Sequence, residues 1–233
     1  MNDILVGREK ECAAIAAFIS QRKNIIIFGA EGTGKSAIIK SVLKDKNIAS
    51  LLYSQDSRTF KSALSGLILS VSGNTKSVLE SNIAALKNEL YGIIKDRNPE
   101  YIVFDHVESV EPKNYNFFVY LMDAKIPLIV LSRGLQKKDI GHLGMSLFNF
   151  KKVEILNLDR PAADVLMDHF IKEFNIKITK EKDFKKQIFH FSKGNPKIIK
   201  GLCFLARDVK YQKNDTLDVN LMDLDRRINE AVG

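Results

Sequence analysis

The run Asn24-Ile25-Ile26-Ile27-Phe28-Gly29-Ala30-Glu31-Gly32-Thr33-Gly34-Lys35-Ser36 decides the reading of this chain. Its apolar part, Ile25 to Phe28, is short, β-branched and bounded by polar and turn residues, as a buried strand requires. Residues 29–36 then fit G-x-x-x-x-G-K-S in full, and a helical apolar period runs from Lys35 to Lys44. A strand, a glycine loop and a helix in that order suit a bound phosphate. Glycines let the backbone from Gly29 to Gly34 turn and approach the anion, and the helix N-terminus at Lys35, Ser36 and Ala37 presents unpaired N–H groups to it. Lys35 neutralises the β- and γ-phosphates, and the Ser36 hydroxyl joins a Mg²⁺ shell. ATP or ADP with Mg²⁺ is therefore the expected cofactor, with Ala30, Glu31, Gly32 and Thr33 forming the body of the loop.

Outward from this run, short apolar segments alternate with helix-length amphipathic ones. Strands are predicted at residues 24–29, 49–53, 101–105, 126–132 and 153–158, most of them buried on both faces. Helical patterns at 35–44, 58–71, 76–97 and 114–124 supply the crossovers that parallel strands need. After Leu158 only helical patterns remain, at 162–174, 182–192, 196–210 and 220–231, with Asp159-Arg160-Pro161 as a cap and first turn. The expectation is an α/β fold of the P-loop NTPase type. A parallel five-stranded sheet flanked by helices would occupy residues 1–158 and a C-terminal α-helical lid residues 159–233, with a hinge near Leu158.

The apolar run Tyr101-Ile102-Val103-Phe104 ends in Asp105, an acid at the end of a buried strand, which makes Asp105 the second candidate Mg²⁺ residue beside Ser36. His106 follows where many ATPases place a water-activating Glu, and Glu108 comes two residues later. Two readings of His106 stay open: an imidazole base with an ordinary pKa near 6.5, or a loop residue. His142, His169 and His190 lack ligand spacing with one another or with Cys12 and Cys203, and read as structural or surface residues.

Four motifs in order make the chain resemble the AAA+/STAND group of P-loop ATPases, in the pattern of its archaeal-type, NB-ARC and origin-recognition branches. Val6-Gly7-Arg8-Glu9 resembles the hydrophobic-Gly-Arg-Glu segment that packs on adenine, and the glycine loop is the Walker A motif. Leu131-Ser132-Arg133 resembles a sensor strand whose polar residue and Arg approach the γ-phosphate. Gly194-Asn195-Pro196-Lys197 resembles the lid turn whose proline touches the base, with a cation nearby. The resemblance implies catalytic roles for Lys35, Asp105, His106 and Arg133, and nucleotide contacts from Val6, Gly7, Arg8, Ser132 and Pro196. It implies an ATPase that switches a protein or DNA partner and hydrolyses slowly or only when a partner assists. The chain departs from the group in its His106. A small-molecule phosphotransferase and a nonhydrolysing, nucleotide-stabilised scaffold are the rival readings.

Composition bounds the partners. The 233 residues are 45% hydrophobic and 27% charged, enough for an ordinary core. No apolar stretch near the N-terminus is long enough for a signal core or a membrane span, so the cytoplasm is expected, without a membrane partner. The net charge of +8 is concentrated late: residues 172–213 hold twelve Lys/Arg against four Asp/Glu. That segment suits DNA or another polyanion, and equally a solvated lysine-rich face. A protein partner or a homo-oligomer is the remaining expectation.

Overall fold

The computed structural model of the chain describes residues 4–72, 75–213 and 216–232. Its first unit comprises Lys10–Ala30 and Lys35–Ile155. In chain order it runs α1 (Glu9–Ser20), β1 (Asn24–Phe28), α2 (Lys35–Asp45), β2 (Leu51–Ser54), α3 (Phe60–Leu69), α4 (Thr75–Glu80), α5 (Ile83–Arg97), β3 (Tyr101–Val107), α6 (Pro112–Asp123), β4 (Leu128–Ser132), α7 (Lys137–Ile140), a 3₁₀ segment (His142–Asn149) and β5 (Phe150–Glu154). The five strands form one sheet in the order β2-β3-β4-β1-β5, and every pairing is parallel. This is the expected α/β architecture.

The order also positions the site. From β1 the chain crosses past β4 and β3 to the edge strand β2, returns through β3 and β4, and then passes β1 to reach β5. The adjacent strands β1 and β4 thus send their crossovers in opposite directions, toward β2 and toward β5, which makes β1 a switch strand, and the carboxyl end of such a strand is where open α/β sheets hold ligands. The central strands are continuous apolar runs because both their faces are covered: Ile25, Ile26, Ile27, Ile102, Val103, Phe104, Ile129, Val130 and Leu131 are all buried. Against them packs an aromatic cluster in which Phe117 meets Phe60, Phe104 and Phe118 at ring-centroid distances of 5.4, 6.4 and 5.8 Å. Truncating such a ring to Ala costs about 3–5 kcal/mol.

Several boundaries differ from the sequence reading, for physical reasons. β5 begins at Phe150 rather than 153, because an edge strand exposes Lys151 and Lys152 and so lacks an unbroken apolar run. The long helix expected over 76–97 is two, since the Asn82 side chain accepts from the Ala85 N–H and starts a new helix there. The stretch between β4 and β5, left unassigned, folds as α7 and the 3₁₀ segment.

The second unit comprises the N-terminal residues through Glu9, Glu31–Gly34 and Leu156 onward. It contains α8 (Arg160–Glu173), α9 (Glu181–Ser192), α10 (Pro196–Leu205), a 3₁₀ turn (Val209–Tyr211), the short antiparallel pair β6 (Gln212–Lys213) and β7 (Thr216–Leu217), and α11 (Val219–Val232). The expectation of helices alone after Leu158 is corrected by that hairpin, and the third of these helices ends at Leu205 instead of 210. Its core joins Leu166, Met167, Phe170, Phe184, Ile188, Ile199, Leu202 and Cys203, with Val6 packed against it. Burial pushes the Cys203 thiol up to about 12.

Candidate functional site

In the sheet unit the candidate residues collect at the carboxyl ends of β1, β4 and β3. Phe28 is in register with Ser132, and Ser132 with Val107, so Gly29, Ser132 and the Asp105-His106 pair end three adjacent strands. Gly29 is required by its surroundings: it sits at φ +155, and a Cβ there would lie 2.1 Å from the Ile155 carbonyl oxygen. Lys35 Nζ donates to the carbonyls of Gly29 (2.8 Å) and Ala30 (2.9 Å), folding back across the start of the loop. Ser36 and Ala37 follow in the first turn of α2, where backbone N–H groups have no intrahelical partner.

Asp105 is 3% exposed. Between Phe104 and Val107 the register slips, so three residue steps on β3 face two on β4. His106 adopts φ +57 at this bulge and turns its N–H onto Asp105 Oδ1 at 2.9 Å. Tyr53 donates its phenol to Asp105 Oδ2 at 2.9 Å, and the Ser57 N–H donates to the Asp105 carbonyl at 2.8 Å. Burial, then the adjacent Asp105, push the Tyr53 phenol well above its usual range, so it remains a donor. The carboxylate and the Ser36 hydroxyl are hard oxygen donors of the kind Mg²⁺ takes, and Oδ2 retains a lone pair.

The His106 ring is exposed, and its Nδ1 lies 3.2 Å from both Asp105 Oδ1 and the Gln55 carbonyl. Ser132 is buried and donates its hydroxyl to the Gly134 carbonyl at 2.8 Å, whereas Arg133 beyond it is exposed.

In the helical unit the other candidates gather around the tip of the loop. Arg8 is buried and its Nη2 donates to the Thr33 carbonyl (3.1 Å) and the Leu156 carbonyl (2.7 Å). Asn195 caps α10, accepting from the N–H groups of Lys197 and Ile198, and donates its Nδ2 to the Glu31 carbonyl at 2.8 Å. The Lys197 N–H reaches the Gly32 carbonyl (3.2 Å), and its Nζ pairs with Glu31 at 2.7 Å. Three successive carbonyls of the loop are therefore held by side chains and backbone of this unit. Gly7, at φ +63, and Pro196, first in α10, complete the predicted set, with Val6 half-buried in the core. Sequence reasoning missed Tyr53 and the loop-holding roles of Asn195 and Arg8. An Asn before a Pro signals a cap, but no local signal marks Tyr53.

The late basic segment divides among α8, α9, α10 and the turns between them. Lys185 is half-buried and pairs with Asp168 and Glu181, whereas Lys177, Lys180, Lys182, Lys186 and Lys193 are exposed.

No protein-family model matches the chain, and no curated protein sequence matches it. Solved structures do. A Walker-type ATPase of Pyrococcus abyssi matches with a TM-score of 0.60 at 12% identity, covering 97% of this chain and 72% of that one. The chain has the fold of the P-loop ATPases. The replication initiator DnaA, solved with AMPPCP and single-stranded DNA, matches at 0.60 and 17% identity over 97% of this chain and 66% of its own. Hsp104 of S. cerevisiae, solved with casein, matches at 0.58 and 14% identity over 93% of this chain and 40% of its own. At these identities the likeness is one of fold. No described helix of this P-loop fold is long and apolar enough to cross a membrane.

Proposed function

We propose that the chain is an AAA+/STAND-like ATPase that binds ATP or ADP with Mg²⁺ and acts as a nucleotide-dependent switch on a protein or DNA partner. The carrying observation is the full phosphate-loop motif at the carboxyl end of the switch strand, with buried Ser132 ending β4 beside it and buried Asp105 near the end of β3. On binding, Lys35 would leave the Gly29 and Ala30 carbonyls for the β- and γ-phosphates. Ser36 and Asp105 would hold Mg²⁺, which supplies charge neutralisation on the phosphates. Ser132 and Arg133 are proposed to sense the γ-phosphate. Val6, Gly7, Arg8 and Pro196 are proposed to contact the nucleotide, and the hold of the helical unit on Glu31, Gly32 and Thr33 supports a response of that unit to the bound nucleotide.

Hydrolysis by the isolated chain should be slow. The residue after Asp105 offers an exposed imidazole in place of a carboxylate, its position set by a backbone bulge. A partner or second copy that supplies an arginine would raise turnover by about 10³-fold or more. Phosphate release, measured for the chain alone and with duplex DNA, tests this. Slow release stimulated by DNA supports the switch, no release with ATP still bound favours a scaffold, and transfer to a small acceptor would make the chain a kinase.

A further inference from the structure

We propose that Tyr53 is a positioning residue for the Asp105 carboxylate, fixing the direction from which that carboxylate meets Mg²⁺. The inference rests on the reading of Asp105 as a metal ligand. Asp105 has two oxygens, and each is engaged from a different element: Oδ1 by His106 of β3, whose ring Nδ1 also lies 3.2 Å from it, and Oδ2 by Tyr53 of β2. Oδ1 takes the N–H of His106, at the bulge of β3. Oδ2 takes the Tyr53 phenol from β2, at 2.9 Å. The carboxylate cannot turn about its terminal torsion without breaking one of the two, and at 3% exposure solvent offers little replacement. Oδ2 is left with one lone pair in a fixed direction.

Tyr53 is itself held in place. It lies in register with Val103 in the parallel β2–β3 pair, and the ammonium of Lys40 on α2 sits over its ring at 5.6 Å from the centroid. Toward a carboxylate the Tyr53 hydroxyl can only donate. Removing the hydroxyl leaves Oδ2 without its partner and frees the group to rotate. That should weaken metal binding without touching the phosphate loop.

The test is the Mg²⁺ requirement for ATP binding in the parent, Tyr53→Phe, Asp105→Asn and the double variant, by calorimetry, with ATP affinity also measured in EDTA. Tyr53→Phe keeps the ring, and its melting curve checks the fold. The expected result is a Mg²⁺ midpoint raised about 3- to 10-fold in Tyr53→Phe, by more in Asp105→Asn, and no further in the double variant, with affinity in EDTA unchanged. A merely structural Tyr53 would lower ATP affinity with and without Mg²⁺ alike, or add its shift to that of Asp105→Asn, and either overturns the proposal. A shift in Asp105→Asn with none in Tyr53→Phe also overturns it. If Asp105→Asn leaves the midpoint unmoved, the metal reading of Asp105 fails and the positioning role falls with it.

Discussion

Asn195 joins two tasks that substitution can separate. Its Oδ1 caps α10 through the Lys197 and Ile198 N–H groups, and its Nδ2 holds the Glu31 carbonyl at 2.8 Å. It is 7% exposed, so water cannot readily replace either set. Asn195→Ala removes both. A lost cap costs about 1 kcal/mol and the lost hydrogen bond to the part-buried Glu31 carbonyl about 1 kcal/mol more, together about 2 kcal/mol. Asn195→Asp keeps an acceptor for the cap, and its charge gains from the helix N-terminus. It replaces the donor with an oxygen facing the Glu31 carbonyl, so it should cost about 1 kcal/mol while α10 stays capped. For a chain of this length each kcal/mol moves the midpoint by about 2–4 °C, so thermal melting should rank the parent above Asp and Asp above Ala. Both variants should also weaken ATP binding, because the loop tip loses one of its three held carbonyls. If Asn195→Asp melts within 1 °C or so of the parent and binds ATP equally well, the hydrogen bond from Asn195 to the loop does not do what the geometry implies.

Other perturbations reach different parts of the account. His106→Ala should leave ATP turnover within about twofold, since the side chain is exposed and the bulge is set by backbone; a loss of tenfold or more in a monomeric chain would make His106 a working base. Tyr101 donates its phenol to the Ile19 carbonyl at 3.0 Å, and burial pushes its pKa from 10.0 up to about 12. Its contribution is fully present below pH 10 and is lost as the pH rises to about 12, so denaturation scans should show a loss over that window that Tyr101→Phe lacks. Reversing the exposed pair Lys182 and Lys186 to Glu should abolish salt-sensitive binding of duplex DNA; equal binding by parent and variant, or by neither, would make the basic face one of solvation. Lys185 is unsuited to that test, because its pairs with Asp168 and Glu181 belong to the packing of α8 and α9.

The central strands were legible because burial on both faces writes itself as unbroken apolar runs, as in Ile25–Phe28 and Leu128–Ser132. β5 was misplaced because an edge strand with two exposed lysines carries no such run. The break at Asn82 was hidden by helix-favouring residues on both sides of it. At the site, the phosphate loop and the acid at the end of β3 follow from local spacing. The bond from Tyr53 to Asp105 spans 52 residues and that from Asn195 to Glu31 spans 164, and nothing local records either. The exposure of the His106 ring depends on a positive φ at a bulge, which a His does not announce.

The central claim is that the loop from Gly29 to Ser36 binds ATP through Lys35. Lys35 is half-exposed, and its bonds to the Gly29 and Ala30 carbonyls contribute about 1–2 kcal/mol to the fold, so Lys35→Ala should stay folded. It removes the cation that would pair with the β- and γ-phosphates, a loss of about 2.7 kcal/mol or more. Calorimetric titration of ATP with Mg²⁺ into the parent and Lys35→Ala is therefore the direct measurement. The account predicts saturable binding by the parent, weakened about 100-fold or beyond detection in Lys35→Ala with the melting transition retained. Equal ATP affinity in the two proteins, or no binding by the parent, would contradict it.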